Sequence, residues 1–354
     1  MAEPDGITLE ELRLAARNHA MPLEALRYDL TPAGLHYLLV HYDIPAVDPD
    51  AWRLRVGGAV AGPIELSLED LRSRPAVTRA VTLECAGNGR ALLDPRPVSQ
   101  PWLLEAVGNA AWTGVPLREV LETTGVAPGA VEVLFTGLDH GVEGEIEQDY
   151  ERSLPLDEAM REDVLLAYEM NGQPLPPQHG FPLRLVVPGW YGMTHVKWLA
   201  RVSVLTEPFG GYQNARGYRF RSDPDEPGDP VTRMRPRSLM VPPGFPEFMT
   251  RGRIVDAGTH LVRGRAWSGL GPIERVDVSD DDGRTWWEAS LDPAATDPFA
   301  WRGWTFEWHA SPGDRMLCCR TTDATGASQP LEPPWNVGGY GNNAVQRVPV
   351  TVRD

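Results

Sequence analysis

Prolines crowd residues 222–246, and this crowding constrains the possible fold more than any other feature of the chain. The segment contains the runs DPDEPGDP and VPPGFP. Proline removes a backbone donor and fixes φ, so prolines this dense prevent a continuous helix or sheet. With 354 residues, the chain is long enough for two domains. We therefore predict one domain at residues 1–222, a proline-rich linker at residues 223–246 and a second domain at residues 247–354.

The sequence patterns on the two sides of this segment differ. Before it, helix signals such as the capping box TLEE at residues 8–11 mix with strand runs such as AVTRAVTLE and FPLRLVV. Their order is too irregular for a doubly wound parallel sheet, which favours an α+β fold. After it, about seven short strands separated by turn signals are typical of an immunoglobulin-like antiparallel β-sandwich.

Charge and hydropathy exclude several classes of partner. The net charge of −16 argues against non-specific binding of nucleic acid. It also repels small anions, so an anionic substrate would need a local cluster of arginine and lysine. No apolar run reaches the roughly 18 residues that a membrane-spanning helix needs, so we expect no membrane partner. The start, MAEPDGITLEEL, lacks an export signal, which predicts a cytoplasmic protein, or a periplasmic one if a signal was removed.

The chain has three cysteines, and one of them stands apart. Cys318 and Cys319 are neighbours in a strand-like run and are expected to be buried structural thiols. Cys85 ends another strand-like run and begins CAGNGR, whose glycines let a ligand approach the backbone closely. The positive neighbour Arg90 is expected to lower the thiol pKa. Three interpretations of Cys85 stay open: a buried structural cysteine, a nucleophile that needs a positioned histidine, or a soft metal ligand.

The segment VTLECAGNGR at residues 81–90 closely resembles the cysteine loop of the sulfite oxidase family of molybdenum–molybdopterin oxidoreductases. Further segments resemble other parts of that family. They are ARNH at 16–19, WLLEAVGNAAWTGVPLREVL at 102–121, the nearly forty-residue stretch at 163–200 that contains HGFPLR and VKW, and the C-terminal AWSGLGPIERVDVSDDDGRTW and PPWNVGGYGNNAVQRV. The resemblance implies that family's fold, a mixed α/β molybdopterin-binding domain followed by an immunoglobulin-like dimerisation domain, and hence a homodimer.

The resemblance also implies roles for individual residues. Cys85 would be the thiolate ligand of molybdenum. The pterin and its phosphate would be held by Arg17, Asn18, His19, Asp139, His179, Arg184, His195, Val196 and Lys197. The catalytic residues at the substrate would be Arg17, Arg90, Trp102 and Tyr218. Four histidines match no family motif and are expected to be structural: His36, His41, His260 and His309.

Three departures from the family pattern leave the substrate open, and one of them is a segment between Arg90 and Trp102 that is about two residues shorter and has no counterpart of a lysine found in the animal enzymes. The family loop often reads C-A-G-N-R-R, whereas Gly89 stands at its fifth position here. The family's active-site tyrosine aligns with Tyr218, or less well with Tyr212, only after a one-residue gap. Arg347 is the candidate for the basic group that the second domain would lend to the pocket.

The leading functional prediction is oxidation of sulfite to sulfate by oxygen-atom transfer. The haem-binding histidine motif of the animal enzymes is missing, so we expect no haem and an external electron acceptor such as a cytochrome. Two arginines would grip the oxyanion through charge-assisted hydrogen bonds. The alternatives are a reductase of the same fold that acts on a sulfoxide or another oxo-compound, a non-catalytic cofactor-binding or adhesion module, and a cysteine-dependent hydrolase.

Overall fold

The structure is a computed structural model that describes residues 6–354, so the first five residues of the predicted domain 1–222 lie outside the described residues. The α-helices in the described part are α1 (Leu9–Arg17), α2 (Leu68–Arg72), α3 (Leu117–Thr124) and α4 (Leu156–Ala159). Single turns of 3₁₀ or π helix occur at Leu23–Arg27, Arg90–Leu92, Pro177–His179, Gly192–Thr194 and Gln213–Gly217. Within residues 6–354, every helix is too short or too polar to cross a membrane.

Strands dominate both halves of the described chain. The first half contains β1 (Leu54–Gly58), β2 (Ile64–Leu66), β3 (Val77–Glu84), β4 (Val107–Pro116), β5 (Glu132–Glu143), β6 (Ile146–Pro155), β7 (Leu165–Met170), β8 (Gln173–Pro174), β9 (Arg184–Val186), β10 (Leu199–Leu205), β11 (Arg219–Phe220) and β12 (Asp229–Pro230). The second half contains β13 (Arg237–Met240), β14 (Phe245–Pro246), β15 (Arg253–Asp256), β16 (Gly258–Trp267), β17 (Ile273–Ser279), β18 (Trp287–Glu288), β19 (Ser290–Leu291), β20 (Arg302–Ala310), β21 (Gly313–Asp323) and β22 (Gln346–Arg353).

Local sequence explains where the helices begin. The Thr8 hydroxyl accepts from the backbone N–H of Glu11, and the Glu11 carboxylate accepts from the backbone N–H of Thr8, which is the predicted capping box. Ser67 and Asp70 form the same pair at the start of α2. Capping satisfies backbone donors that the first helical turn leaves free, so these short helices begin at fixed residues.

Two sheets build the first half. One has the order β2-β1-β10-β5-β6, with β1 and β10 parallel and the other neighbours antiparallel. The second has the antiparallel order β3-β4-β7-β8, and β9 also pairs with β7. Their shared core includes Leu121, Phe135 and Leu185, all fully buried. The mixture of helices with mostly antiparallel strands confirms the predicted α+β class.

The second half is a β-sandwich, as predicted. One sheet has the order β13-β16-β20-β19 and the other β14-β15-β22-β21-β17-β18. The pairing is antiparallel except between β15 and β22, which run parallel. Trp304, Leu317 and Val350 are among the buried side chains between the sheets. Cys318 and Cys319 lie on β21 and both are buried.

The proline-rich segment contains structure of its own. Arg237–Met240 forms β13, which pairs with β16 in the sandwich. This short run lies between Pro236 and Pro242 and contains no proline, so its backbone can join a ladder. Val231 and Met234 are also fully buried. The segment therefore packs against both halves of the chain, while the boundaries at residues 222 and 246 stay a prediction.

Candidate functional site

Cys85 lies where β3 ends and a tight turn begins. Its backbone N–H donates to the carbonyl of Ala106 at 2.9 Å, which ties it to the chain entering β4. The Asn88 N–H donates to the Cys85 carbonyl at 3.0 Å and closes the turn. The thiol is 7% exposed. The strand end and the turn together fix the thiol at one point in the interior.

A buried ion pair links this turn to the β-sandwich of the second half. The Glu84 carboxylate, next to Cys85, lies 2.7 Å from Nε of Arg237, and both side chains are 1% exposed. The indole N–H of Trp267 donates to the other carboxylate oxygen at 2.8 Å. Asn88 Nδ2 donates to Glu84 at 3.0 Å. Glu84 therefore connects the cysteine turn to β13 and β16 of the second half.

A glycine-rich loop at residues 338–342 covers the same turn. The Gly341 N–H donates to the Ala86 carbonyl at 2.7 Å, and Asn342 Nδ2 donates to the Gly89 carbonyl at 2.8 Å. Gly89 has φ of +87°, and a Cβ there would lie 2.8 Å from Asn342 Nδ2. Left-handed backbone and this close approach both favour glycine. They explain why glycine replaces arginine at the fifth position of the cysteine loop.

Two cavities meet at the Cys85 thiol. The first, called the inner cavity, is lined by Asp139, His179, Arg184 and Lys197 among others, and the second, called the outer cavity, by Arg90, Trp102 and Glu143 among others. Cys85, Leu39, His41 and Tyr218 line both of them. The thiol therefore stands between one space rich in charged and polar side chains and a second space that contains Arg90.

The inner cavity presents buried polar atoms that have no protein partner. They include His179 Nε2, Arg184 Nε and Asp139 Oδ1. The Arg184 guanidinium stacks over the Trp112 ring at 4.6 Å and makes no ion pair within residues 6–354. Leaving buried polar atoms unpaired is costly, so they indicate a polar ligand in this cavity. A pterin edge and an anionic phosphate supply the acceptors and donors that these atoms need.

Lys197 and Asp139 both line this cavity, and the charge of each acts on the pKa of the other. Burial lowers the pKa of the Lys197 ammonium, and the Arg184 charge adds to this effect while Asp139 opposes it. Burial raises the pKa of the Asp139 carboxyl, opposed by Lys197. Lys197 Nζ donates to the Leu39 carbonyl at 2.7 Å. Lys197 is also the only lysine of the chain, so amine chemistry can address this site selectively.

His195 supports the cavity wall. Its Nδ1 accepts from the backbone N–H of Val187 at 3.0 Å, so Nε2 carries the proton and donates to the Trp190 carbonyl, also at 3.0 Å. Burial lowers the pKa of His195 to about 3. Both ring nitrogens are occupied, so His195 positions the loop and does not offer a free donor.

The outer cavity places Arg90 and Trp102 beside Cys85. Arg90 is 5% exposed, its Nε donates to the Gly338 carbonyl at 2.9 Å, and its guanidinium lies over the Tyr340 ring at 5.1 Å. It forms no ion pair with any carboxylate of the described residues. Trp102 is buried, and its indole N–H lies close enough to the Cys85 thiol to oppose the rise of the thiol pKa. Both side chains therefore lie beside the thiol, where a ligand would meet them.

His41 and Tyr218 complete the junction of the two cavities. The Tyr218 hydroxyl lies 2.6 Å from His41 Nε2. Tyr218 was predicted here, whereas Tyr212 lines neither cavity. His41 was expected to be structural and is the functional candidate that the sequence analysis missed. The available signal was a polar residue ending the apolar run HYLLVHY, since a polar group in such a run needs a partner.

The ARNH segment lies beside the cavities and not in their walls. Arg17 and His19 are exposed, and neither lines a cavity. Arg17 ends α1 and donates to the carbonyl of Tyr42, a residue of the outer cavity, and its charge helps to lower the pKa of Lys197 in the inner cavity. The His19 backbone bridges to Leu38, which lines the inner cavity. The predicted roles of Arg17 and His19 stay predictions.

Three other predicted residues make structural contacts and line neither cavity. Asn18 donates to Gln100 Oε1 at 2.9 Å and accepts from the Val40 N–H at 2.8 Å, so its amide is already bound. Val196 is fully buried and lines neither cavity. Arg347 pairs with Asp282 at 2.7 Å, also away from both cavities. Arg347 thus lines neither cavity, and its role at the pocket stays a prediction.

Arg90 lowers the pKa of the Cys85 thiol, as predicted, but burial has the larger and opposite effect. Burial raises the pKa of the Cys85 thiol above its ordinary value, and the nearby Arg90 charge only opposes this rise. The free thiol is therefore not activated as a nucleophile, contrary to what a cysteine-dependent hydrolase requires. Coordination to a metal deprotonates a thiol outright, so a ligand role is compatible with burial.

Comparison with known proteins gives consistent matches over both halves of the chain. Residues 41–213 match the model of the oxidoreductase molybdopterin binding domain, and residues 231–353 match the Mo-co oxidoreductase dimerisation domain. Mitochondrial sulfite oxidase of Rattus norvegicus is 39% identical over 341 residues, covering 91% of this chain and 62% of that protein. Sulfite oxidase of Gallus gallus is 38% identical over 335 residues, covering 90% of this chain and 72% of that protein.

The fold also matches a solved structure. The crystal structure of the sulfane dehydrogenase SoxCD from Paracoccus pantotrophus has a TM-score of 0.81 at 27% identity, covering 98% of this chain and 90% of that chain. The chain thus spans 62% of the length of the rat relative but nearly all of this solved chain.

Proposed function

The chain belongs to the sulfite oxidase family of molybdopterin-binding oxidoreductases, and from this premise we propose that it oxidises sulfite to sulfate. One observation carries the proposal: the Cys85 thiol stands between an inner cavity with unpaired buried polar atoms and an outer cavity that contains Arg90. A thiol in that position can hold a metal that faces a substrate on one side while its organic part contacts the polar side chains on the other.

The residues present fit a molybdenum–molybdopterin group. Cys85 would bind the metal, Arg184 and Lys197 would neutralise the phosphate, and His179 and Asp139 would meet the pterin edge with their unpaired atoms. When bound, the group supplies the oxygen atom that sulfite gains and takes up two electrons. The protein supplies ligation, orientation and charge.

The outer residues orient the substrate. The Nε and Nη1 of Arg90 contact the Gly338 and Gln100 carbonyls at 2.9 and 3.4 Å. The remaining guanidinium N–H groups are left to donate to an oxyanion oxygen. The Trp102 indole N–H offers a further donor. Tyr218 and His41 hold a proton beside the thiol in their shared hydrogen bond. Overall, sulfite and water would give sulfate, two protons and two electrons.

Two partners belong to this proposal. The electrons pass to an external one-electron acceptor such as a cytochrome. The sandwich half, which matches the dimerisation domain, would pair two copies of the chain. Light scattering coupled to size exclusion tests the second point, because a monomer at micromolar concentration contradicts it.

The experiment compares the wild type with Cys85→Ser, both produced with molybdate. We expect the wild type to contain molybdenum and pterin and to reduce ferricyanide when sulfite is added, and Cys85→Ser to lose molybdenum and activity. Cys318→Ser is the matched control, because Cys318 is buried in the sandwich, away from both cavities. A molybdenum-loaded wild type that ignores sulfite at every pH tested would refute the proposal. Faster oxidation of reduced viologen by a sulfoxide would favour the reductase alternative.

The single lysine gives a readout that does not depend on activity. Acetylation of Lys197, followed by mass spectrometry, reports access to the inner cavity because every other amine except the N-terminus is missing. We expect the cofactor-loaded protein to be protected relative to the cofactor-free protein. Equal labelling of the two forms would place the cofactor elsewhere.

A further inference from the structure

The outer cavity contains little positive charge for binding an anion. Arg90 is the one lysine or arginine that lines it within residues 6–354. The Arg152 guanidinium lies behind the Tyr218 ring, 5.6 Å from its centroid, and does not line the cavity. His41 adds no charge, because burial lowers its pKa to about 3.

A carboxylate faces the same space. Glu143 lines the outer cavity, and its Oε2 accepts from Gln213 Nε2 at 2.7 Å and from the Tyr42 hydroxyl at 3.2 Å. These two donors hold the carboxylate in place. Arg90 and Glu143 therefore leave the cavity close to neutral. A second negative charge on a ligand would have no cation to balance it and would be repelled by Glu143.

Much of the remaining wall is apolar. Leu14, Leu39, Val40 and Val142 line the outer cavity together with the rings of Trp102 and Tyr340. The cavity is larger than a three-oxygen inorganic anion. Burying a hydrocarbon group against the apolar side chains is favourable in proportion to its area. Sulfite has no such group, so it would leave the apolar part of the wall without a contact.

We propose that the preferred substrates of this site are organic sulfinates, R–SO₂⁻, which the protein oxidises to sulfonates. A sulfinate carries one negative charge for Arg90, an apolar substituent for the wall, and the sulfur lone pair that sulfite also offers. The proposal rests on the proposed function, since it uses the same oxygen-atom transfer at the same site. The sulfur lone pair forms one new S–O bond, and the C–S bond stays intact. Sulfinate and water give sulfonate, two protons and two electrons, and two equivalents of a one-electron oxidant such as ferricyanide take up the electrons.

The first test compares benzenesulfinate with sulfite on the molybdenum-loaded protein. We expect kcat/KM for benzenesulfinate to exceed that for sulfite by about tenfold or more, mainly through a lower KM, because the ring buries apolar area. Benzenesulfonate should accumulate in proportion to ferricyanide reduced. Turnover of sulfite with no turnover of sulfinate overturns this inference and leaves the proposed function standing. Failure of both substrates on loaded protein overturns the proposed function itself.

The second test measures binding of the product anions by calorimetry and needs no turnover. We expect benzenesulfonate to bind the wild type about tenfold more tightly than sulfate, which carries two charges. Arg90→Met should abolish both interactions. Glu143→Gln should strengthen sulfate binding several-fold, whereas Glu145→Gln, an exposed carboxylate on the same hairpin that lines neither cavity, should not. Wild-type protein that binds sulfate as tightly as benzenesulfonate contradicts the inference, whatever the variants do.

Discussion

The hydroxyl of Tyr218 lies 2.6 Å from Nε2 of His41, although 177 positions separate them in the sequence. Both side chains line the inner and the outer cavity. Burial raises the pKa of Tyr218 well above its ordinary value and lowers that of His41 to about 3. The pair therefore holds one phenolic proton and a neutral imidazole across the whole range in which the protein would be assayed.

This pair predicts non-additive kinetics. Tyr218→Phe removes the proton that faces the substrate and should lower kcat by about 100-fold with little change in KM. His41→Leu should have a similar effect, and the double variant should be no slower than Tyr218→Phe, because the two groups act as a unit. Steady-state kinetics on loaded protein measure this.

Tyr212→Phe is the matched control, because Tyr212 lines neither cavity, and it should retain wild-type kcat. Additive losses in the His41→Leu, Tyr218→Phe double variant would show that the two side chains act separately. A loss in Tyr212→Phe equal to that in Tyr218→Phe would mean that the wrong tyrosine has been assigned.

The Glu84–Arg237 pair predicts a large effect on stability. Glu84→Gln leaves the Arg237 guanidinium buried without a countercharge and should lower the free energy of unfolding by about 3–5 kcal/mol. Urea titration followed by tryptophan fluorescence measures the change. Glu65→Gln is the control, because the Arg55–Glu65 pair has side chains 74% and 52% exposed and should change stability by less than about 1 kcal/mol. Similar losses in the two variants would contradict the bracing role of Glu84.

Comparing alanine substitutions at Gly89 and Gly129 distinguishes the cost of a left-handed backbone from the cost of a steric contact. Their φ angles are +87° and +88°, but a Cβ at Gly129 would meet nothing within 4 Å, whereas one at Gly89 would press on Asn342. Alanine at either position should cost about 1–2 kcal/mol for the left-handed backbone. Gly89→Ala should cost more, since Asn342 must also move. Thermal unfolding of the two variants tests this, and equal melting temperatures would remove the contact with Asn342 as a reason for glycine.

Buried histidines predict loss of stability in acid. Burial lowers the pKa of His36 to about 4 and that of His195 to about 3. The unfolded chain takes up these protons below about pH 6.5 while the folded chain does not. The free energy of unfolding should therefore fall as pH falls from 6.5 towards 4, by up to about 1.4 kcal/mol per pH unit for each histidine.

Urea titrations at pH 6.5, 5.5 and 4.5 measure this slope. His195→Gln should make it shallower, because glutamine does not titrate. His309→Gln provides the matched comparison, since the His309 side chain is 75% exposed, and should leave the slope unchanged. An unchanged slope in His195→Gln would mean that His195 is already protonated in the folded protein.

Parts of this site could be predicted from the sequence because the residues involved lie close together in the chain. The glycines that follow Cys85 are adjacent to it in the chain, and the strand before it is an uninterrupted β-rich run. His179, Arg184 and Lys197 lie within nineteen residues and do line one cavity. The capping boxes of α1 and α2 depend on residues three positions apart, so their sequence signals were sufficient.

Other parts could not be predicted because they depend on segments far apart in the chain. Arg17 matches a motif, but only the structure shows that its exposed side chain contacts the Tyr42 carbonyl beside the outer cavity. His41 matches nothing, yet the packing of its loop against β6 and Tyr218 brings it to the thiol. The strand β13 lies inside a proline-rich segment, and its pairing with β16 decided that it forms.

For Cys85 itself, the sequence determined that a thiol ends a strand on a glycine-rich turn beside an arginine. Only the tertiary structure decided the sign of its pKa shift and the number of cations near it. The burial of the thiol depends on every element that packs around it. Its effect on the thiol pKa is larger than the opposite effect of Arg90, the one neighbouring charge that the sequence reveals. The same packing brings Glu143, from a distant hairpin, into the outer cavity that Cys85 also lines, a proximity that no local sequence pattern reveals.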